Sequence, residues 1–371
     1  MKAVILAAGK GERLVPLTDG MPKVMLPVAN RPLLEYGLEA VSGFVDEIII
    51  VTGYMEEAVR KRFGGEFRGV RLRYVTQKKQ LGTGHALQQA EKHIDGRFIL
   101  MMGDHIHPRS DIEKCLKQDL CMLLQRVPDL SGFGAVATDG GRVTGITEKP
   151  KRPAPGLANA ALYVLDQRIF DFGMGKSERG EYEITEALQK LCARHRLGWA
   201  ETTEWRQLTY PWDLLALNEE VLKRTGPAIS ETAKISGRAR IEGPVAVGDG
   251  AELKDCVIRP YTAIGDGAVI GNFVEVKNSV IMEGTRIPHL SYIGDSVIGC
   301  RCNLGAGTKA ANLRFDDGPV SMMVGGKRVS TGRRKMGCVM GHDAKTGINV
   351  SILPGAVIES GKRVNPGTVY K

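Results

Sequence analysis

A six-residue period of aliphatic side chains, with short offsets between runs, occupies residues 227–371 and constrains the fold more than any other feature. Its phased positions are Ile235, Ile241, Val247, Leu253, Ile258, Ile264, Ile270, Val276, Ile281, Ile287, Ile293, Ile298, Leu304, Met340, Thr346, Ile352, Ile358 and Val364. A hexapeptide period is typical of a parallel β-helix, in which each short strand buries one aliphatic residue and stacked coils share a core. The 46 glycines of the chain suit the tight turns of such coils. A β-sandwich with coincidental spacing is the alternative.

Residues 1–226 follow a different pattern. Short apolar runs at residues 3–8, 47–52, 70–75 and 98–102 alternate with amphipathic stretches at 32–44, 56–62 and 84–93. Strands that alternate with helices predict a mostly parallel sheet with helices on both faces, and such sheets bind ligands beyond the carboxyl ends of their strands. Because Gly226-Pro227 interrupts both patterns, we predict an α/β domain over residues 1–226 and a β-helix over residues 227–371.

The amino-acid composition limits which partners we expect the chain to bind and in which cellular compartment we expect it. The 51 lysines and arginines outnumber the 42 aspartates and glutamates, and the net charge of +9 favours an anionic partner. The chain has no recognised nucleic-acid-binding motif, so we expect nucleotides or sugar phosphates and no nucleic acid. Seven cysteines without a CxxC pair indicate a reducing compartment. No apolar run approaches the ~20 residues of a membrane span, so we expect a cytoplasmic protein with no membrane partner.

The first apolar run ends in a turn of small residues. The turn consists of Leu6, Ala7, Ala8 and Gly9. Small side chains let the backbone approach a ligand closely, and consecutive amides can cradle phosphate oxygens. Arg13 follows the turn, and Lys23 stands between two prolines that restrict the local backbone. A simple strand-to-helix connection and a solvated lysine are the alternative interpretations.

Motifs further along the first domain resemble those of the sugar-1-phosphate nucleotidylyltransferases. Residues 77–86 are similar to the nucleotide-base loop of the uridylyl enzymes that make UDP-N-acetylglucosamine. Gly103-Asp104 follows an apolar run, as the metal-binding aspartate of that family does. Segments 132–134 and 147–150 resemble its sugar-binding segments, and segment 210–213 resembles the one that carries the second metal ligand. The resemblance implies a Rossmann-like fold for the domain.

The resemblance also implies roles for individual residues. Asp104 and Asp213 would bind Mg²⁺. Lys23 would hold the sugar phosphate, and Arg13 would stabilise the triphosphate as pyrophosphate leaves. Besides the turn at 6–9, the implied nucleotide-binding residues are Gln77, Gln80, Gly82 and Thr83, and the implied sugar-binding residues are Gly134, Glu148, Lys149 and Asn159. Taken alone, Asp104 is better explained as a strand-end turn residue and Asp213 as a helix cap. The histidines at 105 and 107 leave zinc as another metal.

The chemistry of the family explains why these residue types are needed. A sugar 1-phosphate oxygen attacks the α-phosphorus of a nucleoside triphosphate, and pyrophosphate leaves. The nucleophile is already ionised, so catalysis consists of positioning and electrostatic stabilisation. The amide of Gln77 has a donor and an acceptor, which suits the imide edge of a pyrimidine. The resemblance implies UTP, and dTTP remains open because thymine differs from uracil only by a methyl group.

The second domain is similar to the amino-sugar acetyltransferase half of bifunctional enzymes of UDP-N-acetylglucosamine synthesis. The similar segments are 259–260, 271–278, 289–295 and 303–308. The resemblance implies a left-handed β-helix, a homotrimer, acetyl-coenzyme A as co-substrate, and His289 as the general base, a role that histidine commonly has in enzymes. The implied residues for the acetyl acceptor are Arg259, Lys277, Tyr292 and Asn303, and those for acetyl-coenzyme A are Ala306, Asn312 and Ser360.

One position departs from the pattern of the acetyltransferases. That family usually has a lysine about six residues after the asparagine matched by Asn312, where this chain has Gly318. A basic stretch at 327–335 follows and interrupts the hexapeptide period. It is either a solvated hairpin that protrudes from the β-helix or a clamp on the phosphates of coenzyme A.

Three functional hypotheses follow from these observations. The first is a bifunctional enzyme that transfers a uridylyl group from UTP to N-acetylglucosamine 1-phosphate and acetylates glucosamine 1-phosphate. The second is a monofunctional UTP- or dTTP-dependent enzyme, acting for example on glucose 1-phosphate, whose β-helix only trimerises or regulates. The third, a non-catalytic assembly protein, is disfavoured because Arg13, Lys23, Asp104 and Asp213 are all present.

Overall fold

The computed structural model describes residues 1–177 and 180–371. Before residue 227 its strands are β1 (Lys2–Leu6), β2 (Pro27–Val28), β3 (Arg31–Pro32), β4 (Glu47–Thr52), β5 (Glu66–Phe67), β6 (Val70–Thr76), β7 (Phe98–Met102), β8 (His105–Ile106), β9 (Cys121–Val127), β10 (Gly134–Asp139), β11 (Arg142–Glu148), β12 (Gly156–Leu165), β13 (Gly198–Thr202) and β14 (Arg206–Gln207). Its helices are α1 (Leu33–Val41), α2 (Glu56–Phe63), α3 (Thr83–Ala90), α4 (Arg109–Leu116), α5 (Ile184–Arg194) and α6 (Asp213–Thr225). Short 3-10 turns occupy Glu12–Leu14, Lys23–Met25, Glu91–His93 and Gln167–Ile169.

The large sheet has the strand order β10-β11-β13-β9-β12-β7-β1-β4-β6-β5. Strands β7, β1, β4 and β6 are parallel and in register, so their carboxyl ends lie at one edge. Strands β1, β4 and β7 are almost entirely buried apolar runs, as expected for parallel strands covered on both faces. The four apolar runs of the sequence are confirmed as β1, β4, β6 and β7.

The sheet is more mixed than the sequence pattern predicts. Strand β12 is antiparallel to β7, β9 and β10, and β10 is antiparallel to β11. Gly140 and Gly141, both at positive φ, form the short connection between β10 and β11. A short turn reverses the chain, so β10 and β11 must pair antiparallel, whereas β13 and β9 pair parallel in the same half of the sheet.

The hexapeptide region forms three parallel sheets of seven strands each. The first sheet contains Ala228–Ile229, Ala246–Val247, Ala263–Ile264, Val280–Ile281, Val297–Ile298, Val339–Met340 and Val357–Ile358. The second contains Lys234–Ile235, Glu252–Leu253, Val269–Asn272, Arg286–His289, Asn303–Leu304, Lys345–Thr346 and Arg363–Val364. The third contains Arg240–Ile241, Val257–Ile258, Glu275–Lys277, Tyr292–Gly294, Lys309–Ala310, Ser351–Ile352 and Val369–Tyr370.

The phased aliphatic residues stack from coil to coil inside this β-helix. In the first sheet Ile264 pairs with Ile281, Ile281 with Ile298, and Ile298 with Met340. All four are completely buried. Burial of each such side chain contributes roughly 1.5–3 kcal/mol, so the stack is the main source of stability for the coils. The predicted fold class, an α/β nucleotidyltransferase domain followed by a left-handed parallel β-helix, is confirmed.

The basic stretch lies in an excursion between the third sheet and the first. Strands Ser321–Val324 and Lys327–Ser330 pair as an antiparallel hairpin. The excursion closes at its base, where the amide of Met336 donates to the carbonyl of Asn312 over 2.9 Å. Two of its arginines form ion pairs within the excursion, Arg314 with Asp316 and Arg334 with Asp317. The basic stretch thus forms a hairpin, and this geometry is compatible with both interpretations of its role.

The chain divides into two compact units that do not coincide with residues 1–226 and 227–371. One unit comprises Met1–Lys10 and Leu33–Gln207, and the other comprises Gly11–Pro32 and Leu208–Lys371. Residues 11–32, which we call the cationic segment, and helix α6 therefore pack with the β-helix. Among the described residues, no helix has both the length and the apolar character needed to cross a membrane.

Candidate functional site

The first group of candidate residues lies at the carboxyl edge of the parallel strands. Ala7 follows β1, Gly53 follows β4, Gln77 follows β6, and Asp104 comes two residues after β7. Backbone hydrogen bonds continue the ladder past the strand ends, from Ala7 N to Val51 O (2.8 Å) and from Gln77 N to Thr52 O (2.7 Å). This continuation places the small-residue turn and the base loop side by side at one edge.

A glycine is required at position 53, next to the small-residue turn. A Cβ there would lie 2.9 Å from the carbonyl oxygen of Ala8 and 2.6 Å from Nε2 of Gln80. The amide of Tyr54 donates to the same carbonyl over 3.3 Å. Gly53 thus allows Ala8 and Gln80 to approach each other, and neither Gly53 nor Tyr54 was singled out from the sequence.

Gln77 is oriented by its own loop. Its side chain is buried, and Nε2 donates to the carbonyl of Gly82 over 3.1 Å and lies 2.9 Å from Nδ1 of His85. Both amide hydrogens of Gln77 are therefore engaged inside the loop. Its Oε1 has no hydrogen-bond partner within residues 1–177 and 180–371, so the side chain offers a ligand an acceptor. From the sequence, Gln77 was expected to offer a ligand a donor as well as an acceptor.

The base loop packs against a second segment around Tyr182. Gly82 has φ +122°, and a Cβ there would lie 2.4 Å from the carbonyl oxygen of Tyr182. That carbonyl accepts from the amide of Gly84 over 2.8 Å, and Thr83 Oγ1 accepts from the amide of Ile184 over 3.2 Å. Only glycine fits position 82, because any side chain would push the two segments apart.

Asp104 lies beside a chain of aromatic side chains. Its carboxylate is about a quarter exposed, and Oδ1 is 3.7 Å from Nε2 of His105. Nδ1 of His105 accepts from the indole N–H of Trp205 over 3.0 Å. Because Nδ1 is an acceptor, the neutral imidazole carries its proton on Nε2, the nitrogen nearest Asp104. Trp205 thereby sets the tautomer of the residue next to the candidate metal ligand.

Zinc finds no support at this position. Burial lowers the pKa of His107 well below its usual value, and the electrostatic interaction with the neighbouring His105 acts in the same direction. Within residues 1–177 and 180–371, no group of three or more His, Cys, Asp or Glu side chains is arranged to hold a metal ion. The nitrogen ligands that zinc prefers are thus not assembled in the described part of the chain.

The candidate sugar-binding residues converge on the antiparallel half of the sheet. Gly134 pairs in register with Glu148. A Cβ on Gly134 would lie 3.2 Å from Oε2 of Glu148 and 3.4 Å from the Cβ of Asn159. Nζ of Lys149 lies 3.8 Å from Oε1 of Glu148. All four predicted residues are therefore neighbours.

A buried tyrosine that the sequence did not indicate orients Asn159. The Asn159 Nδ2 donates to the hydroxyl of Tyr163 over 2.8 Å, and Asn159 Oδ1 accepts from the amide of Ala161 over 2.9 Å. Burial raises the pKa of Tyr163, so its hydroxyl stays protonated. The register of β12 shifts between Asn159 and Tyr163, and this irregularity turns Asn159 toward Gly134.

In the other unit, the cationic segment and α6 bring Arg13, Lys23 and Asp213 into one neighbourhood. The Arg13 guanidinium lies 6.0 Å from the ring centroid of Tyr210, which stacks on Trp212 at 4.6 Å. A Cβ on Gly11 would lie 2.9 Å from the Cβ of Lys23, so the backbone at Gly11 packs closely against this lysine. These contacts place both cations near the start of α6.

The Asp213 carboxylate is fixed by the backbone that precedes it. Its Oδ2 accepts from the amides of Thr209 (2.8 Å) and Tyr210 (2.7 Å), which leaves Oδ1 for another ligand. Burial raises the pKa of Asp213, while these amides and the charges of Lys23 and Arg333 act in the opposite direction. Arg333 belongs to the excursion of the β-helix, so that excursion contributes a positive charge to the same neighbourhood.

The candidate acetyl-acceptor residues lie along the third sheet. Arg259 and Lys277 occupy adjacent coils at its corner with the first sheet, since Ile258 pairs with Val276. The Arg259 guanidinium bonds to Oε1 of Glu275 over 2.5 Å and lies 3.7 Å from Oε2 of Glu242. Two carboxylates therefore hold this arginine in place.

Asp295 connects several polar side chains at this corner. Its Oδ1 accepts from Nδ2 of Asn278 (2.7 Å), and its Oδ2 accepts from Nδ2 of Asn312 (2.5 Å). Nδ2 of Asn312 also lies 3.3 Å from the hydroxyl of Tyr292. An ionised carboxylate only accepts, so both amides must direct their NH₂ groups toward Asp295. Asp295 therefore orients Asn312, which orients Tyr292.

His289 lies at a different corner, between the second and third sheets. It pairs with Asn272 in the coil before and is exposed. The backbone carbonyl of His289 accepts from the hydroxyl of Ser291 (2.8 Å) and from the amide of Gly307 (3.2 Å). Asn303 begins the next strand of the second sheet and pairs with Arg286, so it lies at the opposite end of these strands from His289. Within one chain, the acceptor residues are thus spread over several corners of the β-helix.

The three residues implied for acetyl-coenzyme A lie at three different corners. Ala306 follows the second sheet, Asn312 follows the third, and Ser360 follows the first. The Ser360 hydroxyl lies 3.2 Å from the carbonyl of Pro16 and 3.1 Å from Oδ2 of Asp19 in the cationic segment. A single chain therefore does not bring these three residues together.

Family models match both regions of the chain. The nucleotidyl transferase model matches residues 2–224, and the model of the GMPPB C-terminal domain matches residues 241–336. A Bacillus anthracis protein assigned as a glucose-1-phosphate thymidylyltransferase, solved in complex with sucrose, is similar at 30% identity with a TM-score of 0.55. That match covers 61% of this chain and 96% of the other.

Relatives that span nearly the whole chain are named as bifunctional proteins. The bifunctional protein GlmU of Methanococcus maripaludis is 37% identical over 97% of this chain and 92% of the relative. The bifunctional sugar-1-phosphate nucleotidylyltransferase/acetyltransferase of Sulfurisphaera tokodaii is 38% identical over 100% of this chain and 97% of the relative. The chain therefore belongs to the nucleotidyl transferase family and, within it, to the bifunctional enzymes that join a sugar-1-phosphate nucleotidylyltransferase to an acetyltransferase.

Proposed function

We propose that the enzyme transfers a uridylyl group from UTP to N-acetylglucosamine 1-phosphate, giving UDP-N-acetylglucosamine and pyrophosphate. The observation that carries the proposal is the base loop, in which Gln77 offers Oε1 at the carboxyl edge of the parallel strands. The imide N3–H of uracil is a donor, which Oε1 can accept. Gly82 and Gln80 would border the same base, and residues 6–9 would follow the phosphates.

The carboxylates of Asp104 and Asp213 have the chemistry that Mg²⁺ requires. Magnesium prefers oxygen ligands, and Oδ1 of Asp213 is left over by the two amides that hold Oδ2. Asp104 is partly exposed at a strand end. We propose these two residues as its protein ligands. The ion would supply positive charge that offsets the repulsion between two anionic substrates.

The remaining polar residues would act by position and charge. The phosphate oxygen of the sugar attacks the α-phosphorus of UTP, and the bond from that phosphorus to the bridging oxygen of pyrophosphate breaks. Lys23 would hold the attacking phosphate, and Arg13 would stabilise the leaving pyrophosphate. Glu148 and Asn159 both lie close to Gly134, which has no side chain to displace them, and they would bind sugar hydroxyls. Lys149 would add a donor there.

A substrate panel tests this assignment. Purified protein with Mg²⁺ would be assayed for pyrophosphate release with UTP, dTTP, ATP, CTP and GTP against glucose, glucosamine and N-acetylglucosamine 1-phosphates. We expect the highest kcat/KM with UTP and N-acetylglucosamine 1-phosphate. Preference for a purine nucleotide would contradict the role given to Gln77.

A Streptomyces griseus relative, 31% identical over 81% of this chain and 92% of its own length, carries the name glucose-1-phosphate thymidylyltransferase. Preference for dTTP with glucose 1-phosphate would favour the second hypothesis.

We further propose that the β-helix acetylates glucosamine 1-phosphate with acetyl-coenzyme A. The sugar amine attacks the thioester carbonyl carbon, the carbon–sulfur bond breaks, and coenzyme A leaves as the thiol. His289 would take the proton of the amine. Arg259 and Lys277 would bind the sugar phosphate, while Tyr292 and Asn303 would bind its hydroxyls. Ala306, Asn312 and Ser360 stay proposed contacts of coenzyme A.

A homotrimer is proposed because apolar side chains are exposed beside His289. Phe273 and Leu290, one coil apart at the same corner, are 74% and 59% exposed, and Ile348 is 55% exposed. A threefold contact would bury such side chains and would bring residues from different corners together. Light scattering should give a mass near three times 40.3 kDa. The paired variant Phe273→Glu, Leu290→Glu should give a smaller particle, and a wild-type mass near 40 kDa would contradict the trimer.

A thiol-release assay tests the acetyl transfer. Glucosamine 1-phosphate and galactosamine 1-phosphate would be offered with acetyl-coenzyme A to the wild type and to His289→Ala. We expect coenzyme A release from the wild type only, with a raised KM for acetyl-coenzyme A because Gly318 stands in place of a lysine. Equally slow release from both proteins would make the β-helix a scaffold. Loss of affinity after neutralising residues 327–335 would support the clamp interpretation of the excursion.

A further inference from the structure

We propose that His342 of the β-helix is a positioning residue for the nucleotidylyl transfer, because it holds the cationic segment that carries Arg13 and Lys23. This inference rests on the proposed function of that segment and extends it. It makes the β-helix part of the machinery for both reactions.

The cationic segment is bound to the β-helix by buried hydrogen bonds. Nε2 of His342 lies 2.9 Å from the carbonyl oxygen of Leu17, and Nδ1 of His342 lies 2.9 Å from the amide nitrogen of Cys300. His342 is 5% exposed and Leu17 is completely buried. The bond therefore lies in the interior of the unit that the segment and the β-helix form.

The two hydrogen bonds of His342 determine its tautomer. The amide of Cys300 can only donate, so Nδ1 must accept. The neutral ring then carries its proton on Nε2, which donates to the carbonyl of Leu17. One ring nitrogen thus bonds within the β-helix and the other bonds to the cationic segment, and a substitution can remove either bond separately.

The middle of the cationic segment packs closely against the β-helix around the hydrogen bond between His342 and Leu17. A Cβ on Gly341 would lie 2.7 Å from the Cβ of Pro16, so only glycine lets the segment approach this corner. The hydroxyl of Ser360, one coil further on, lies 3.2 Å from the carbonyl of Pro16. Residues 16–19 are therefore held against the β-helix, and they lie in the sequence between Arg13 and Lys23.

The end of the segment has a second anchor on the same unit. Asn30 Nδ2 donates to the carbonyl of Ile264 over 2.7 Å. Asn218 of α6 accepts from the amide of Ala29 over 2.9 Å and donates to the carbonyl of Tyr261 over 2.7 Å. Lys23 thus lies between an anchor at Leu17 and an anchor at Ala29. Catalysis by positioning is sensitive to small displacements of such charges, so loosening either anchor should lower the rate.

Two substitutions of the histidine separate its two bonds. Asparagine keeps an acceptor at the position of Nδ1 but does not reach Leu17, whereas glutamine keeps a donor at the position of Nε2. We expect His342→Asn to lower kcat for pyrophosphate release about tenfold, with KM values within twofold of the wild type. His342→Gln should stay within threefold of the wild type.

A matched control removes a similar bond elsewhere in the β-helix. Thr285 is completely buried, donates to the carbonyl of Gly299 over 2.6 Å and accepts from the amide of Cys302 over 2.9 Å. Thr285→Val should lower Tm and leave kcat within twofold of the wild type. If His342→Asn does not fold, Ser360→Ala replaces it as the variant that loosens the segment, with an expected three- to tenfold loss of kcat.

A readout without substrates separates this inference from the proposed function. Trypsin cleaves after arginine and lysine, so mass spectrometry can follow cleavage after Arg13 and Lys23 in the native protein. His342→Asn should be cleaved there about ten times faster than the wild type or Thr285→Val. Unchanged cleavage and unchanged kcat would overturn the inference, as would faster cleavage with unchanged kcat. If the wild type released no pyrophosphate with any substrate, the proposed function would fail while cleavage still tested the anchor.

Discussion

The two candidate sites of this enzyme are assembled in opposite ways. In the β-helix, residues about 17 positions apart become neighbours, as in Asn272 with His289 and Glu275 with Tyr292. At the edge of the α/β sheet, neighbours such as Ala8 and Gln80 are far apart in sequence and meet through strand order. A site of the first kind follows from the repeat, whereas a site of the second kind depends on topology.

The two sites also differ in what they require of their charges. The nucleotidylyl residues include two carboxylates and two cations that would act on anionic substrates without a general base. The acetyl site would instead depend on one imidazole, His289, and on amides oriented by Asp295. Substitutions should therefore separate the reactions, with the largest losses where a charge is removed.

Removing a carboxylate that we propose to bind Mg²⁺ should give the largest effect. Asp104→Asn and Asp213→Asn should each lower pyrophosphate release roughly a thousandfold, since several kcal/mol of charge stabilisation is lost at the reacting phosphates. Acetyl transfer by the same proteins serves as the control and should be unchanged. Either variant with wild-type pyrophosphate release would show that its carboxylate does not bind the catalytic ion.

His289→Ala should be the reciprocal variant. We expect acetyl transfer to fall about a hundredfold or more, because a general base typically contributes that much. Its imidazole is exposed at a corner of the β-helix, so Tm and pyrophosphate release should stay at wild-type values. Coenzyme A release would be followed with a thiol reagent. A parallel loss of both activities would mean that the substitution acts through the fold.

Asp295→Ala should have an intermediate effect on acetyl transfer. The substitution removes the acceptor of two asparagine amides, so Asn312 and Tyr292 lose their orientation. We expect kcat/KM for the amino-sugar phosphate to fall about tenfold. Asp249→Ala is a matched control, because Asp249 accepts a hydrogen bond from Ser230 elsewhere on the β-helix. Equal losses in the two variants would argue against an orienting role for Asp295.

The smallest effect concerns the thiols of the β-helix. Burial raises the pKa of Cys256, Cys300 and Cys302 to about 11 and that of Cys338 to about 12. These thiols should not react with a maleimide at pH 8 in the native protein, and all should react in urea. Activity at pH 8 should be independent of the reagent.

The same raised pKa values predict how stability depends on pH. An unfolded cysteine has a pKa near ~8.5, so between about pH 8.5 and 11 the unfolded chain ionises while the native thiol stays protonated. Each buried thiol should therefore lower the free energy of unfolding by about 1.4 kcal/mol per pH unit in that range. Cys256→Ala should lose less stability than the wild type between pH 9 and 10.5 in urea titrations. Equal slopes would show that this thiol ionises in the native state.

Much of each site could be predicted from local sequence. Asp104 and Gln77 were proposed from their resemblance to family motifs, and the parallel strands that precede them bring their carboxyl ends to one edge. His289 and Tyr292 were identified by motif and lie where the repeat places them. Gly53, Tyr163 and Trp205 were missed, since their roles depend on residues distant in the sequence or on an irregular strand.

Two candidate residues make hydrogen bonds that could not be predicted from the sequence. Gln77 was expected to offer a donor and an acceptor, and its donor is used by Gly82 and His85. Ser360 was assigned to coenzyme A from its position in the family pattern, and its hydroxyl lies against the cationic segment. A side chain's partners depend on rotamers and on distant segments, which no single motif contains.

The sequence by itself determined the architecture of this protein. Each coil of the β-helix pairs only with the next, so a six-residue period is enough to set strand, face and register. The tertiary structure decided which of the two compact units contains each segment that carries candidate catalytic residues. Residues 11–32 pack with the β-helix through His342, Asn30 and Asn218. Those bonds join residues up to 325 positions apart, and a local sequence pattern carries no information about contacts between such distant residues.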